Sequence, residues 1–234
     1  MPFLYPFFDS TYILIIIGLV ISLAAQAFVK STFSKYSEVR SRKGYTATDA
    51  AHYILDQSGI TDVRVERIAG NLTDHYDSRD KVLRLSDATA NSTSVAAIGV
   101  AAHEVGHAIQ DQKGYIPLRL RASLVPVANF GQTVSLPMIL IGSFLAGSQT
   151  LINLGILMFS FAFVFQVVTL PVEFNASARA LHILGSGGVL TREEVPQARK
   201  VLQAAALTYV AAAIMSFLQL MRLVILFGGG RRSN

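Results

Sequence analysis

The chain has 234 residues, of which 52% are apolar and only 15% charged, and its mean hydropathy of +0.46 is well above that of an ordinary soluble domain, so membrane insertion is the first reading to test. The absence of cysteine excludes a disulfide framework and a thiolate zinc site, leaving His, Asp and Glu as ligands for any metal. A formal charge of +5 fits Lys and Arg clustered in the cytoplasmic loops of a membrane chain better than it fits a nucleic-acid partner.

Residues 11–29 are an unbroken apolar run of about the twenty residues a helix needs to cross a bilayer. Ala25-Gln26-Ala27 has the form of a signal-peptide cleavage site, but the flank before the run lacks Lys and Arg and the run is overlong; residues 1–29 are therefore expected to be an uncleaved anchor. Residues 30–123 mix polar and apolar side chains and suit a small folded unit. Within it, residues 49–55 read as a short helix stopped by Ser58-Gly59. Residues 63–68 and 81–85 alternate with the period of strands, with turns at Ala69-Gly70-Asn71 and Asp77-Ser78-Arg79-Asp80, so a small antiparallel sheet is expected. Ser92-Thr93-Ser94 offers capping hydroxyls for a helix over residues 95–113.

The unit 124–171 holds two further candidate spans, 124–146 and 151–170, joined by a tight hairpin at Gly147-Ser148-Gln149. Pro126 and Pro137 are expected to kink these helices without breaking them. A polar interval, 172–203, precedes a last span at 204–227 within the segment 204–234, where Arg222 is placed to snorkel toward headgroups and residues 228–232 read as a flexible tail. Lys and Arg concentrate in 30–123 and 172–203, which predicts that both face the cytoplasm, although Arg231 and Arg232 then fall on the far side.

His103-Glu104-Val105-Gly106-His107 sets two imidazoles four residues apart, on one face of a helix and about one turn from each other, where both can grip one metal ion. Glu104, rotated by about a hundred degrees from the first ligand, can reach the metal-bound water without joining the inner shell and is the natural general base. Gly99, Ala101, Ala102, Gly106 and Ala108 keep the helix thin, so a second element can approach closely. The third ligand must be a carboxylate or another histidine. Glu173, directly after the third apolar run, is the foremost candidate. Pro171 beside it suits a first helical turn, and Ser177 lies one turn on, on the same face, where it can support a ligand. An anionic side chain stabilising a helix start is the plain alternative for Glu173. Asp74-His75-Tyr76-Asp77 offers either a donor to a tetrahedral oxyanion or a polar hairpin turn. His182, nine residues after Glu173, cannot share its helical face, and His52 reads as structural.

Four stretches carry a family resemblance: Asn71-Leu72-Thr73-Asp74-His75-Tyr76-Asp77, Leu83-Arg84-Leu85-Ser86, Val100-Ala101-Ala102-His103-Glu104-Val105-Gly106-His107-Ala108-Ile109-Gln110, and Pro171-Val172-Glu173-Phe174-Asn175-Ala176-Ser177. Through them nearly the whole chain resembles the YugP-type neutral zinc metallopeptidases of bacteria and, more distantly, the glutamate-zincins of the HtpX and CAAX-processing type. The resemblance implies an α+β fold, with a helical membrane bundle of about four spans and a small zincin-like unit of short sheet and motif helix. It also implies Zn2+ as cofactor, Glu173 as third ligand, and an extended substrate bound along a sheet edge, expected at residues 82–85. One position departs from the pattern: many glutamate-zincins carry an aspartate four residues after the ligand glutamate, where this chain has Ser177, a neutral partner that raises ligand basicity less. The expected activity is zinc-dependent endopeptidase action at the cytoplasmic membrane face, with a peptide substrate and the bilayer as partners, no nucleic acid, and the oligomeric state open. The rivals are a non-proteolytic membrane adaptor that keeps a structural zinc site and, less strongly, a transporter using Gln132, Asn153, Gln166 and Gln219.

Overall fold

In the computed structural model, which describes residues 9–229, local sequence signals set the elements of the polar segment. Thr46 accepts the Asp49 amide while the Asp49 carboxylate accepts the Thr46 amide, a reciprocal cap that starts α2 (Ala47–Gln57). That helix buries Ala50, Ala51, Ile54 and Leu55 and ends at Ser58 and a left-handed Gly59, as the sequence predicts. It follows α1 (Tyr12–Ser37) and precedes β1 (Arg64–Ile68), β2 (His75–Asp77), β3 (Val82–Ser86) and the one-turn α3 (Asp87–Ala90). The Ser94 hydroxyl accepts the Ala97 amide at 3.2 Å and opens α4 (Val95–Gln112). Three long helices complete the chain: α5 (Ile116–Leu140), closed by a π-helical turn at Ile141–Leu145, α6 (Gln149–Ser186) and α7 (Val195–Phe227).

The described residues fall into two units, one formed by 26–119 with 171–207 and the other by the remainder. The first holds the sheet, in the order β1-β3-β2. β2 and β3 pair antiparallel as expected, but β1 and β3 pair parallel, so the sheet is mixed. Residues 69–81 between them are long enough for the crossover that a parallel pair needs, about a dozen residues, and deliver β2 to the far side of β3 on the way. Residues 82–85 are consequently the centre of the sheet and not its edge. Val82, Leu83 and Leu85 are fully buried, which removes them as a platform for substrate. Leu83 and Leu85 pack with Ile54, Ile98, Val105 and Leu184 in one core. α4 is buried on nearly every side, as a helix made mostly of Ala, Gly, Val and Ile should be.

Four helices are long and apolar enough to cross a membrane: Tyr12–Ser37, Ile116–Leu145, Gln149–Ser186 and Val195–Phe227. Each covers one expected span to within a residue and runs past it at one end or both. The interval 172–203 is therefore largely helical, and Pro171 lies inside α6 and not in a first turn. The helix continues through it although the Val167 carbonyl loses its usual helical donor. Pro126 and Pro137 likewise lie within α5. In the second unit, Gly147 takes a positive φ of 58° at the α5–α6 hairpin. A Cβ at Gly131 would stand 2.4 Å from the Met158 carbonyl oxygen, so the two backbones approach as closely as only small residues allow. Ile13, Ile16, Val20, Phe130 and Leu136 point outward, as lipid-facing side chains do. Arg222 Nη2 lies 3.4 Å from Asp9 Oδ2 and its guanidinium sits over the Tyr12 ring, which gives a cation carried on an apolar helix an opposite charge. Gln132, Gln166 and Gln219 line one cleft of about 480 Å³ in this unit. Of the expected tail, Gly230, Arg231 and Arg232 lie outside the described residues.

Candidate active site

His103 and His107 project from one face of α4, ring centroids 4.8 Å apart and nearly perpendicular. Glu173, only 2% exposed, reaches them from α6: its Oε2 is 3.2 Å from His103 Nε2 and 3.6 Å from His107 Nε2. Ligand atoms of all three residues lie within 4.8 Å of one another. The approach depends on Gly106. A Cβ there would stand 2.6 Å from the Ala176 carbonyl oxygen, so any side chain at this position would push away the helix that carries Glu173.

Both imidazoles are oriented from behind. His103 Nδ1 lies 3.1 Å from the hydroxyl oxygen of Ser177, one helical turn beyond Glu173 on the same face, as the sequence suggests. His107 Nδ1 lies 3.0 Å from Gln110 Oε1. Gln110 Nε2 donates to the Val172 carbonyl at 2.8 Å and to Asn175 Oδ1 at 3.0 Å, which fixes Oε1 as the acceptor of the Nδ1 proton. Asn175 Oδ1 also accepts from Arg179 Nε at 2.7 Å, so a chain of three side chains, Gln110, Asn175 and Arg179, stands behind His107. With protons at both Nδ1 positions, each Nε2 lone pair faces the Glu173 carboxylate across less than 4 Å. Three acceptors so arranged repel unless a cation or a proton lies among them. The donor set, two neutral imidazoles and one carboxylate, is one that zinc takes in catalytic sites.

Glu104 leaves the helix beside this cluster. Its Oε2 accepts the backbone amide of Tyr76, in β2, at 3.0 Å. Burial pushes its carboxyl above the usual range, while His103 and His107 pull the other way. Burial alone would lower the basicity of His107, but contact with Glu173 and the charge of Glu104 outweigh it. The Tyr76 phenol is held well above its ordinary range by burial and by Asp111, to which it donates at 2.9 Å. Lys81 also binds Asp111, at 2.6 Å, which ties β2 to the end of α4.

The other residues singled out from sequence divide cleanly. Asp74 accepts from the Ser86 amide, the Ser86 hydroxyl and the Thr89 hydroxyl, and Asp77 accepts from the amides of Arg79 and Asp80. They build the turn. His75 binds the Thr73 carbonyl and Arg84, and among the described residues neither His52 nor His182 joins a group able to hold a metal. Four contributors escape the sequence reading: the Tyr76 amide, Gln110, Asn175 and Arg179. The available signal was Gln110, an amide about one turn beyond His107 in a helix made mostly of Ala, Gly, Val and Ile.

A multi-helix membrane framework carrying a paired-histidine and carboxylate cluster on a small α+β unit defines the class as membrane zinc peptidases. Residues 11–228 match the family described as "Putative neutral zinc metallopeptidase", and the chain belongs to that family. It is 49% identical over 221 residues to "Putative membrane protease YugP" of Bacillus subtilis (strain 168), a match spanning 94% of this chain and 98% of that one. No solved structure matches the chain. Zinc is accordingly the metal of the family, and His103, His107 and Glu173 can form its site.

Proposed function

We propose that this chain is an HExxH zinc endopeptidase of the glutamate-zincin type, in which His103, His107 and Glu173 hold the metal and Glu104 is the general base. The supporting observation is the convergence of two Nε2 atoms and a buried carboxylate, each imidazole held at Nδ1 by a neighbouring polar side chain. Zinc bound there would polarise the scissile carbonyl and acidify the attacking water. Glu104 takes the proton from that water at Oε1 and later delivers it to the leaving amine, while the Tyr76 amide keeps Oε2 in place. The upward shift of its carboxyl suits a group that must accept a proton near neutral pH. Ser177 and Gln110 keep the two imidazoles aimed, and Glu173 supplies the one negative charge of the ligand set.

Purified Glu104→Gln protein should keep its zinc, measured by mass spectrometry, and lose cleavage of a denatured model protein by about a hundredfold or more, the usual scale for a general base. Undiminished metal-dependent cleavage by the variant would remove Glu104 from this role. A parent protein that carries zinc and cleaves nothing would turn the reading toward an adaptor with a structural metal.

We also place the segments 30–123 and 172–203 on the cytoplasmic side, following their Lys and Arg content. Substrates then lie near the membrane surface, because Glu173 directly follows the apolar run 151–170. Single cysteines at the exposed positions Ser78 and Ser186 should resist a membrane-impermeant thiol reagent on intact cells and react after permeabilisation. Labelling of either on intact cells reverses the orientation.

A further inference from the structure

A groove of about 510 Å³ lies between the last turns of α1 and the first turns of α7 in the sheet-bearing unit. From α1 it is lined by Phe28, Thr32 and Lys35, and from α7 by Lys200, Gln203 and Leu207. These are facing stripes at helical spacing, each with an apolar residue at one end and a lysine two turns away, about 10 Å along the axis. In both helices the apolar end is the one nearer the membrane-crossing run: Phe28 closes the run of α1, and Leu207 opens that of α7. No carboxylate lines the groove. Among the described residues neither lysine has a carboxylate partner; Lys35 Nζ lies over the ring of its neighbour Tyr36, 5.6 Å from the centroid. Two unneutralised ammonium groups aimed at one groove repel each other, and an anion between them removes that cost.

We infer that this groove binds an anionic phospholipid, with its phosphate between Lys35 and Lys200, hydrogen-bonded by the groove's hydroxyl and amide groups, and its acyl chains along Phe28 and Leu207. A free phosphate would satisfy the lysines and leave the apolar end uncovered. A zwitterionic headgroup would satisfy the apolar end and bring its own cation against the lysines. Only a lipid of net negative charge matches both ends of the groove. The site is separate from the metal cluster, and the inference does not depend on the peptidase reading.

The full chain in neutral detergent would be titrated with dioleoylphosphatidylglycerol, with dioleoylphosphatidylcholine and with inorganic phosphate, and bound adducts counted by native mass spectrometry. The anionic lipid should bind saturably and at least tenfold more tightly than the zwitterionic one. Lys35→Gln and Lys200→Gln should each weaken it about fivefold, and the double variant about twenty-five-fold, the scale of one lysine at an anionic surface. Lys35→Arg with Lys200→Arg should retain it. Both lysines are exposed, so these changes leave the core untouched; should the double variant fail to fold, the single variants carry the same test. Equal affinity for the two lipids, parent-like binding by the glutamine variants, or displacement of the anionic lipid by low-millimolar phosphate would each overturn the proposal.

Discussion

The two units of this chain use the same apolar residue types for opposite ends. In the unit with the sheet, Ile54, Leu83, Leu85, Ile98 and Leu184 are turned inward and fully buried. In the unit of long helices, Ile13, Ile16, Leu19, Val20 and Leu23 stand outward on α1, and contact is made through glycines and small residues. The first pattern is that of a chain folding in water, where apolar area is the driving force. The second is that of helices in lipid, where close packing takes over. The treatment of polar groups follows. Around the candidate metal site Glu173, His107 and Gln110 are buried and each is held by named partners, because an unmatched polar group there would cost several kcal/mol, roughly 1–3 for each lost partner. In this fold, precise geometry is bought only where polar side chains must be buried.

The largest effect expected under this contrast comes from the residue on which the buried network converges. Glu173→Gln keeps the volume and removes the charge. Zinc affinity, read by titrating the metal into metal-free protein, should fall by more than about a hundredfold, beyond the 10- to 100-fold range seen when only a supporting partner is lost. Parent-like affinity would move the third ligand elsewhere and dissolve the link drawn between burial and metal binding.

Two glycine substitutions then compare the units directly. An added methyl at Gly106 would meet the Ala176 carbonyl oxygen at 2.6 Å, and one at Gly131 would meet the Met158 carbonyl oxygen at 2.4 Å. Alanine should gain about 1 kcal/mol of helix propensity at either site, so a net loss of stability, on the scale of 1–3 kcal/mol for overpacking, reports the clash in both. The readouts part at the metal. Gly106→Ala displaces the turn of α6 that carries Glu173 and should weaken zinc binding measurably. Gly131→Ala strikes α6 at Met158, in the other unit and fifteen residues before Glu173, and should leave zinc binding within about twofold, as independent sites do. Equal losses of zinc affinity would mean that the two units do not respond separately.

Much of this arrangement is legible in the sequence because its signals are local. Ser94 before an apolar run announces α4, and Ser58-Gly59 announces the end of α2. The four-residue spacing of His103 and His107, and again of Glu173 and Ser177, sets each pair on one helical face before any fold is known. What escaped is non-local. β2 has three residues, too few for periodicity to speak, and the parallel pairing of β1 with β3 depends on where the crossover runs. Gln110 acquires its role only from Val172 and Asn175, 62 and 65 positions away. Pro171 reads as a helix start by every local rule and sits in mid-helix, because tertiary packing overrides propensity.

The smallest effect concerns the two histidines, whose supports differ in kind. His107 rests on an amide fixed by two further acceptors and, through Asn175, by Arg179, whereas His103 rests on a single hydroxyl. Gln110→Ala leaves the His107 Nδ1 proton without its acceptor and the Val172 carbonyl without its donor, so zinc affinity should drop within the 10- to 100-fold range typical of such partners. Ser177→Ala removes one neutral acceptor from a ring that is already partly exposed, with 13% of its side chain accessible. Water can replace the hydroxyl, and the loss should stay below about tenfold. Ser177→Asp sharpens the same point: Ser177 is only half-buried, so a carboxylate there can keep its charge and accept the Nδ1 proton more strongly, raising the basicity of Nε2. Zinc titration of the three variants should therefore rank Gln110→Ala weakest, Ser177→Ala near the parent, and Ser177→Asp tightest. A Ser177→Ala loss as large as that of Gln110→Ala would show that the lone hydroxyl orients its histidine as firmly as the three-residue chain behind His107.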